Sequence, residues 1–564
     1  MLRAPINRKP RRVMTRFIPP FVNRYGIALC CGAVLALAFP GYHLYFLAWI
    51  LLAPVVWASS READAAGAAA QWFAAGWAFH TILLQWLMSN VYWAGGWAFI
   101  GYQVLVLPLA LYWALAGYVW AWMSKREPRL AALSFAVLWA VMEYLQATLF
   151  SGFGWGALAY SQGPDLAFAQ WASVGGTLLI GFFLAYVNAA AGLAAARREL
   201  RWLHLATAAS VLIVSHLAGS MLIEAAPPAE PARKVGVFQP NFTNELKWDA
   251  EYTLDMVARA VHHSSSLEDY KPVDLMVWPE ATLMADFNYP EVLTPLADYT
   301  TSRETVLVSG TVRYDHNESY NSVVLVGKDG QVGGYYDKVH LVPFGEYIPF
   351  KEILGFLEQI VPSNAAMGRE QHVLESDGLK IGPLICFEVL YAPMAEELRS
   401  MGAQVLTVGT NLSWFGTSSA IPQELEIARF RAIETRLPLI HSANTGISGV
   451  FDPYGRFQCA DMSIGARGRL IEWTRLESPA QTMRQRMVGA FDLPAPAVRI
   501  LSFGPPVAPY VFIALALVLF VWCIIAPRVR PAADGGTGAP EPPLPAPPAG
   551  AAPFDPPARD DFSI

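Results

Sequence analysis

Charge is scarce in this sequence. Of its 564 residues only 15% are Asp, Glu, Lys or Arg, whereas 54% are hydrophobic and the mean hydropathy is +0.32. Soluble domains carry roughly 25% charged residues. A chain made only of soluble units of about 150 residues each is therefore excluded, and much of the surface must face something other than water. The net charge of −6 and the lack of a basic groove leave nucleic acid without an electrostatic footprint. Cysteine is rare as well. Cys30, Cys31, Cys386, Cys459 and Cys523 form no CxxC pair and no Cys/His cluster at zinc spacing. His262 and His263 are adjacent, a poor geometry for holding one metal ion.

What the sequence has instead is a series of apolar runs, at roughly 25–40, 43–59, 68–92, 97–123, 130–149, 166–196, 202–224 and 507–526. Most approach the about 20 apolar residues that a membrane crossing needs, and no soluble fold hides so many in succession. The first two are separated by little more than Pro40 and Gly41 and predict a tight helical hairpin. Basic residues alternate along the connections. Arg3 to Arg24 precede the first run, then come Arg61, Lys125 with Arg126 and Arg129, Arg197 with Arg198 and Arg201, and finally Arg528 and Arg530. The loops at 88–97 and 150–165 have none. Because basic loops stay cytoplasmic, this pattern predicts an inside N-terminus, seven spans, a large outside domain, an eighth span and an inside C-terminus. The first run is then an uncleaved anchor and not a signal peptide.

The expected divisions are a basic cytoplasmic tail (1–24), a seven-helix membrane domain (25–227), an outside domain (228–495), a last membrane helix (496–527) and a tail (528–564). The outside segment holds short β-rich runs such as KVGVFQP, VDLMVW, TVLVSGTV and AQVLTVGT, with helical stretches at 247–263, 390–401 and 421–436. Strands alternating with helices predict an α/β or layered α+β domain, and the hairpin TVRYDHNESYNSVVLV makes its sheet mixed. The Pro/Ala-rich tail has too few large hydrophobes to fold alone.

Three strand ends in the outside segment carry reactive groups. VDLMVWPEAT runs an apolar strand into Glu280, with Pro279 stopping further pairing. YYDKVHLVPFGEYIP sets Lys338 in a polar turn, with Glu346 shortly after it, and KIGPLICFEVLY runs a strand into Cys386 and a helix start. Strand ends are where α/β folds gather catalytic groups. A thiol to attack, a carboxylate to take its proton and an ammonium to stabilise the oxyanion suit covalent acyl transfer. Singly, each residue has a plainer explanation: a core cysteine, a capping glutamate, a solvated lysine.

The segments VWPEAT, DKVHLVPFGEYIPF and ICFEVLY, in that order, resemble the Glu, Lys and Cys boxes of the nitrilase superfamily. The long DKVHLVPFGEYIP form, the opening VGVFQPNFTNELKWD, the later NLSWFGTSSAIPQELEIARFRAIETRLPLIHSANTGISGVFDPYGR and the order of spans and domain are similar to its apolipoprotein N-acyltransferase branch. The resemblance implies a polytopic α-helical membrane domain of about eight transmembrane helices plus an α/β nitrilase-like αββα sandwich with mixed sheets. It implies that Glu280 is general base, that Lys338 stabilises the oxyanion and that Cys386 forms a thioester. Glu346 would orient Lys338 or assist proton movement, and Glu388 would shape the pocket. Phe387 stands where the family more often has Tyr, losing a hydroxyl and keeping the ring. Trp248 matches a tryptophan near the family's active site, although core packing explains it equally well.

The implied reaction takes a fatty acyl chain from a phospholipid donor and passes it to the α-amine of an S-diacylglyceryl cysteine on an apolipoprotein acceptor. It implies a bacterial inner-membrane enzyme with a periplasmic catalytic domain, active as a monomer. No cofactor or metal is needed, because side chains fill every chemical role. Three other readings are open: a membrane-anchored amidase using the same residues, a non-catalytic scaffold, and a structural disulfide between Cys386 and Cys459.

Two segments leave alternatives of their own. Glu143, in LWAVMEYLQATLF, is a functional group by default in a membrane run or an interface residue paired with Tyr or Gln. The loop SGFGWGALAYSQGPD contacts lipid headgroups or packs under the outside domain.

Between the Lys and Cys boxes, Phe350, Ile353, Leu354, Leu357, Ile360 and Val361 fall near helical spacing on one face. They form either an amphipathic lid at the bilayer surface, excluding water between half-reactions, or a helix packed on the domain's own core. A lid predicts that charged substitutions at Leu354 and Leu357 impair turnover of phospholipid while the domain stays folded. Unchanged turnover in both variants removes the lid.

Overall fold

The computed structural model describes residues 20–525 apart from 43, 91–94, 225–230, 248, 270, 349–350, 356–364, 460–468, 471–486 and 498–503. The amino-terminal part is helical: α1 (Pro20–Leu35), α2 (Ala53–Ser60), α3 (Ala65–Leu83), α4 (Trp97–Arg126), α5 (Ala131–Thr148), α6 (Ala172–Ala196) and α7 (Arg201–Glu224). A further helix, Gly504–Ile525, follows the α/β domain and lies against α5 and α6.

Among the described residues five helices are long and apolar enough to cross a membrane: Trp97–Arg126, Pro128–Thr148, Ala172–Ala196, Arg198–Ile223 and Pro506–Ile525. That is fewer than the eight expected. The first two apolar runs form shorter helices, interrupted by 3-10 turns at Ala36–Ala38 and Tyr45–Trp49. The 19-residue α3 is diluted by glycine, Gln71 and His80. Small residues set how closely the helices approach. A Cβ on Gly117 would come 2.2 Å from Trp72 Cδ1, so α4 seats this indole on its backbone. Trp72, Trp113, Trp139, Phe79 and Phe135 complete an aromatic core.

One end of the bundle gathers basic side chains. Arg24 pairs with Glu62 at 3.1 Å, Lys125 donates to the carbonyls of Glu62 and Ala63, and Arg197 donates to those of Ser124 and Pro128.

The α/β domain is two mixed sheets. The first comprises β1 (Pro231–Gln239), β2 (Leu275–Val277), β3 (Val306–Asp315), β4 (Glu318–Val326), β5 (Val332–Asp337) and β13 (Met487–Pro494), in the order β13-β1-β2-β3-β4-β5. The second comprises β6 (Leu374–Ser376), β7 (Leu379–Ile385), β8 (Val405–Thr410), β9 (Leu439–Ala443), β10 (Gly449–Phe451), β11 (Phe457–Cys459) and β12 (Arg469–Leu470), in the order β12-β11-β10-β9-β8-β7-β6. The parallel cores are β1-β2-β3 and β7-β8-β9, flanked by antiparallel strands. The expected hairpin is β3-β4, running from Leu307 opposite Val326 to Asp315 opposite Glu318.

Burial on both faces explains the continuous apolar runs. Val235, Val237, Leu275, Val277 and Val308 share a core with Ile381, Leu384 and Val408 of the second sheet. Phe238, Met276 and Leu307 point the other way, against Val257 and Ala260 of α8 (Thr253–Glu268) and Leu296 of α9 (Pro290–Arg303). Helices α10 (Ala392–Ser400) and α11 (Ala420–Thr435) cover the second sheet, giving four layers, α-β-β-α.

Every residue of α11 is buried, although it carries Gln423, Glu424, Glu426, Arg429, Arg431 and Glu434. The reason is that the helical bundle covers its other side. Gln423 accepts from the indoles of Trp86 and Trp155, Glu434 accepts from the Thr177 amide, and Arg436, just beyond α11, donates to Gln170 and Ser173. The Gly/aromatic loop thus packs under the domain. Glu143, 6% exposed, accepts from Trp139 and from the Leu158 amide, so its partners are not the expected Tyr or Gln. Trp139 lies one helical turn before it and reaches it directly.

Candidate active site

Glu280 follows β2 after Trp278 and Pro279, in a tight turn that continues through Ala281 at φ +49°. The turn is wedged between the sheets, and both leave room for it with glycine. A Cβ on Gly310 of β3 would lie 2.4 Å from the Pro279 carbonyl and 2.6 Å from Glu280 Cα, and one on Gly409 of β8 would lie 3.2 Å from the Glu280 amide.

Lys338 follows β5 and is 1% exposed, unlike the solvated turn lysine its sequence context permits. Its Nζ donates to Glu346 at 2.9 Å and lies 3.8 Å from Glu280 Oε1. Burial opposes its charge, but Glu346 and Glu280 outweigh burial and hold its pKa above the usual lysine range. Glu346 also accepts from the Val342 amide at 2.8 Å, closing its own loop. Burial disfavours its carboxylate, yet Lys338 keeps its pKa below normal. For Glu280, burial wins over the attraction of Lys338, and its pKa is raised.

Cys386 follows β7 at φ +50° and opens the 3-10 turn Cys386–Leu390, a tighter start than the expected helix. Left-handed non-glycine residues cost about 1–3 kcal/mol and persist where their surroundings over-determine them. Cys386 is a free thiol, so the disulfide to Cys459 is not formed. Burial, Glu280 and Glu424 push its pKa well above the ordinary value.

Glu388, fully buried, is held through both carboxylate oxygens. One oxygen accepts from the Tyr336 hydroxyl and the amides of Val339 and His340; the other accepts from the Ile385 amide at 2.8 Å. It ties the strand end carrying Lys338 to the one carrying Cys386. Phe387 is half-buried against Phe153, His340 and Tyr391. Trp248, Leu357 and most of the candidate lid lie outside the described residues, while Leu354 ends a short helical turn, Lys351–Leu354, with its side chain outside them.

The structure therefore brings Glu280, Lys338, Cys386 and Glu346 into one cluster. It adds two residues that sequence reasoning missed. Asn321 donates to Glu280 at 2.7 Å and to Glu346 at 3.0 Å. The β4-β5 register, in which Ser322 faces Asp337, is the signal that sets it beside Lys338. Lys247, 3% exposed, donates to the Glu280 carbonyl at 3.2 Å, and burial brings its pKa down to about 8 against the opposing pull of Glu280. Among the described residues no group of His, Cys, Asp and Glu side chains has the arrangement to hold a metal ion. Chemically, the cluster offers a nucleophile, a proton acceptor and a fixed cation.

Comparison with known proteins agrees with this architecture. Residues 31–190 match the apolipoprotein N-acyltransferase N-terminal domain, and residues 234–470 match the carbon-nitrogen hydrolase domain. The apolipoprotein N-acyltransferase of Geobacter metallireducens is 31% identical over 452 residues, covering 77% of this chain and 86% of that protein. That of Azotobacter vinelandii is 32% identical over 451 residues, covering 76% and 85%. That of Rhodopseudomonas palustris is 30% identical over 522 residues, covering 82% and 92%. The crystal structure of an amidase from Nesterenkonia sp. aligns with 48% of this chain and 93% of its own, at 17% identity and a TM-score of 0.34. Fold and site define a carbon-nitrogen hydrolase domain carried on an apolar helical bundle. The chain belongs to the apolipoprotein N-acyltransferase family.

Gly310→Ala tests the wedge. The added methyl displaces Glu280, and since a 1 Å misplacement costs about 100-fold, turnover should fall by about that factor with secondary structure retained by circular dichroism. A folded variant with wild-type turnover would show that the position of Glu280 does not matter.

Proposed function

We propose that this protein transfers a fatty acyl chain from a membrane phospholipid to the α-amine of an S-diacylglyceryl cysteine on a lipoprotein, through a thioester on Cys386. The observation that carries the proposal is the convergence of Glu280, Lys338 and Cys386 from three strand ends in a member of this family.

In the first half-reaction Glu280 takes the thiol proton as Cys386 Sγ bonds the ester carbonyl carbon. Lys338 stabilises the tetrahedral oxyanion. The C–O bond then breaks, Glu280 returns the proton to the glyceryl oxygen, and lysophospholipid leaves. In the second, the amine nitrogen bonds the thioester carbon and gives its proton to Glu280. The C–S bond breaks, and the proton returns to sulfur as the N-acyl product leaves. Glu346 holds Lys338 in place, and Asn321 orients both carboxylates.

The site abuts the bundle. His340 and Tyr391 both engage the Ser151 carbonyl, at 3.2 Å and 3.0 Å, which suits an acyl donor arriving from lipid. An amidase acting on a small soluble amide has no use for that contact.

We assign the protein to the bacterial inner membrane, with the boundaries and eight spans given above, the catalytic domain periplasmic and both termini cytoplasmic. The basic loops meeting at one end of the bundle, opposite the loop under the domain, support that orientation.

Intact mass spectrometry after incubation with phospholipid tests the chemistry. The wild type should gain a fatty-acyl mass that is lost on adding a diacylglyceryl-cysteine peptide, which becomes N-acylated; Cys386→Ser should show no thioester. No adduct, with Cys386 alkylatable throughout, would return the amidase to first place.

The pH dependence follows from Glu280. Its raised pKa means that the carboxylate needed as base is lost as pH falls through a value above the ordinary 4.5. The acid limb of kcat/KM should lie above that value, and Asn321→Ala, which removes a hydrogen bond to the charged form, should move the limb higher still. A limb at or below 4.5 would exclude Glu280 as the base.

A further inference from the structure

Lys247 carries a buried ammonium that the proposed reaction does not use. It is 3% exposed and ends the short helical turn Asn244–Lys247, which follows β1. A lysine is almost never fully buried unless it is paired. The partner here is main chain: Nζ donates to the Glu280 carbonyl at 3.2 Å. That carbonyl lies in the wedged turn after β2, past the last ladder pairs, Val277 with Val237 and with Val308. The neighbouring Pro279 carbonyl accepts from the Thr282 hydroxyl at 2.8 Å.

The lysine itself is held from the opposite sheet. Asn241, at φ +54°, turns the chain beyond β1, and its amide donates to the carbonyl of Asn444, just past β9, at 2.8 Å. The Phe242 amide donates to Asn444 Oδ1 at 3.1 Å, and Asn444 Nδ2 donates back to the Phe242 carbonyl at 2.9 Å. Asn244 accepts from the hydroxyl of Ser413, beyond β8. Strand ends of the second sheet thus set the ammonium, while the carbonyl it grips belongs to the first.

The groups facing Glu280 are Lys338 after β5, Glu346 in the loop beyond it, Asn321 on β4, the Cys386 thiol after β7, and Lys247. Glu280 and Glu346 set two negative charges against the one positive charge of Lys338, and Lys247 restores the balance. A buried ion without a compensating charge is costly. With a pKa of about 8, Lys247 is charged through the acid and neutral range.

We propose that Lys247 is a positioning residue for the general base: its ammonium pins the Glu280 peptide by the carbonyl and supplies the positive charge that keeps the Glu280 carboxylate ionised. The inference rests on Glu280 being the base of the proposed reaction. The sign is fixed by electrostatics. A cation beside a carboxylate favours its charged form, so losing the cation raises the pH at which the base is protonated.

The full-length protein in detergent is incubated with phospholipid across a pH series, and the rate at which Cys386 gains the acyl mass is followed by intact mass spectrometry. Lys247→Met removes donor and charge. It should move the acid limb of that rate up by about one pH unit and slow acylation at neutral pH about tenfold, part of what a general base contributes. Lys247→Arg keeps donor and charge and should keep the limb at the wild-type position. A wild-type limb above 4.5 that stays in place in Lys247→Met overturns the role of Lys247 alone, even if acylation slows, because a merely structural contact changes the rate and not the limb. A wild-type limb at or below 4.5 overturns both this role and Glu280 as base. Should Lys247→Met not fold, Lys247→Gln decides. It still donates to the carbonyl but carries no charge, so an upward limb supports the proposal and an unmoved one overturns it.

Discussion

The ammonium of Lys338 is almost completely withdrawn from water, and the surrounding structure replaces the lost solvation. An isolated buried charge costs several kcal/mol even after relaxation, so this lysine is tenable only with carboxylates in fixed places. Glu346 supplies the contact at 2.9 Å and Glu280 the one at 3.8 Å. Two carboxylates around one ammonium leave an excess negative charge, and the amide of Asn321 is shared between them. Burial, with a smaller contribution from Glu346, raises the proton affinity of Glu280 while Lys338 stays charged, so a proton acceptor and a permanent cation coexist within one hydrogen-bonded cluster.

Holding such a cluster takes rigid support, and most of it is backbone. Glu388 is tied down by three amides and one phenol, so the spacing between the Lys338 and Cys386 strand ends is set by main chain. The glycines at 310 and 409 let the Glu280 turn sit between two sheets that otherwise pack tightly. Side-chain placement in the site is thus inherited from how the two sheets stack.

Much of this was legible in the sequence, for identifiable reasons. VDLMVW and AQVLTVGT are continuously apolar because their strands are buried on both faces, and a polar residue ending such a run stands out; Glu280 and Cys386 are found that way. The turn-like context of Lys338 by itself permits a solvated lysine as well as a catalytic one, because Glu280 and Asn321, which help enclose it, lie on or just after other strands. Asn321 is a lone amide in a strand, and only the hairpin register sets it against Lys338. Apolar length did not translate into helix length, because a hydropathy run does not reveal a 3-10 turn such as Tyr45–Trp49. The helix QELEIARFRAIET is polar enough to pass for a surface element. It is wholly buried because the bundle supplies partners for its polar side chains, among them Gln170, Ser173 and Thr177 on or beside α6.

That enclosed helix fixes an order of assembly. Arg436, at its end, is satisfied from two directions at once, by Gln170 and Ser173 of the bundle and by the Pro453 carbonyl of the α/β domain. Neither half alone offers a finished environment for these charges. During synthesis the bundle helices emerge first, and chains fold from the N-terminal side as they appear. The second sheet and its covering helix are therefore completed on a surface already seated among lipids, and the thiol pocket takes its final form only there. An α/β domain released from its bundle would leave such polar side chains without the partners that the bundle supplies, which keeps the reactive site beside the apolar helices.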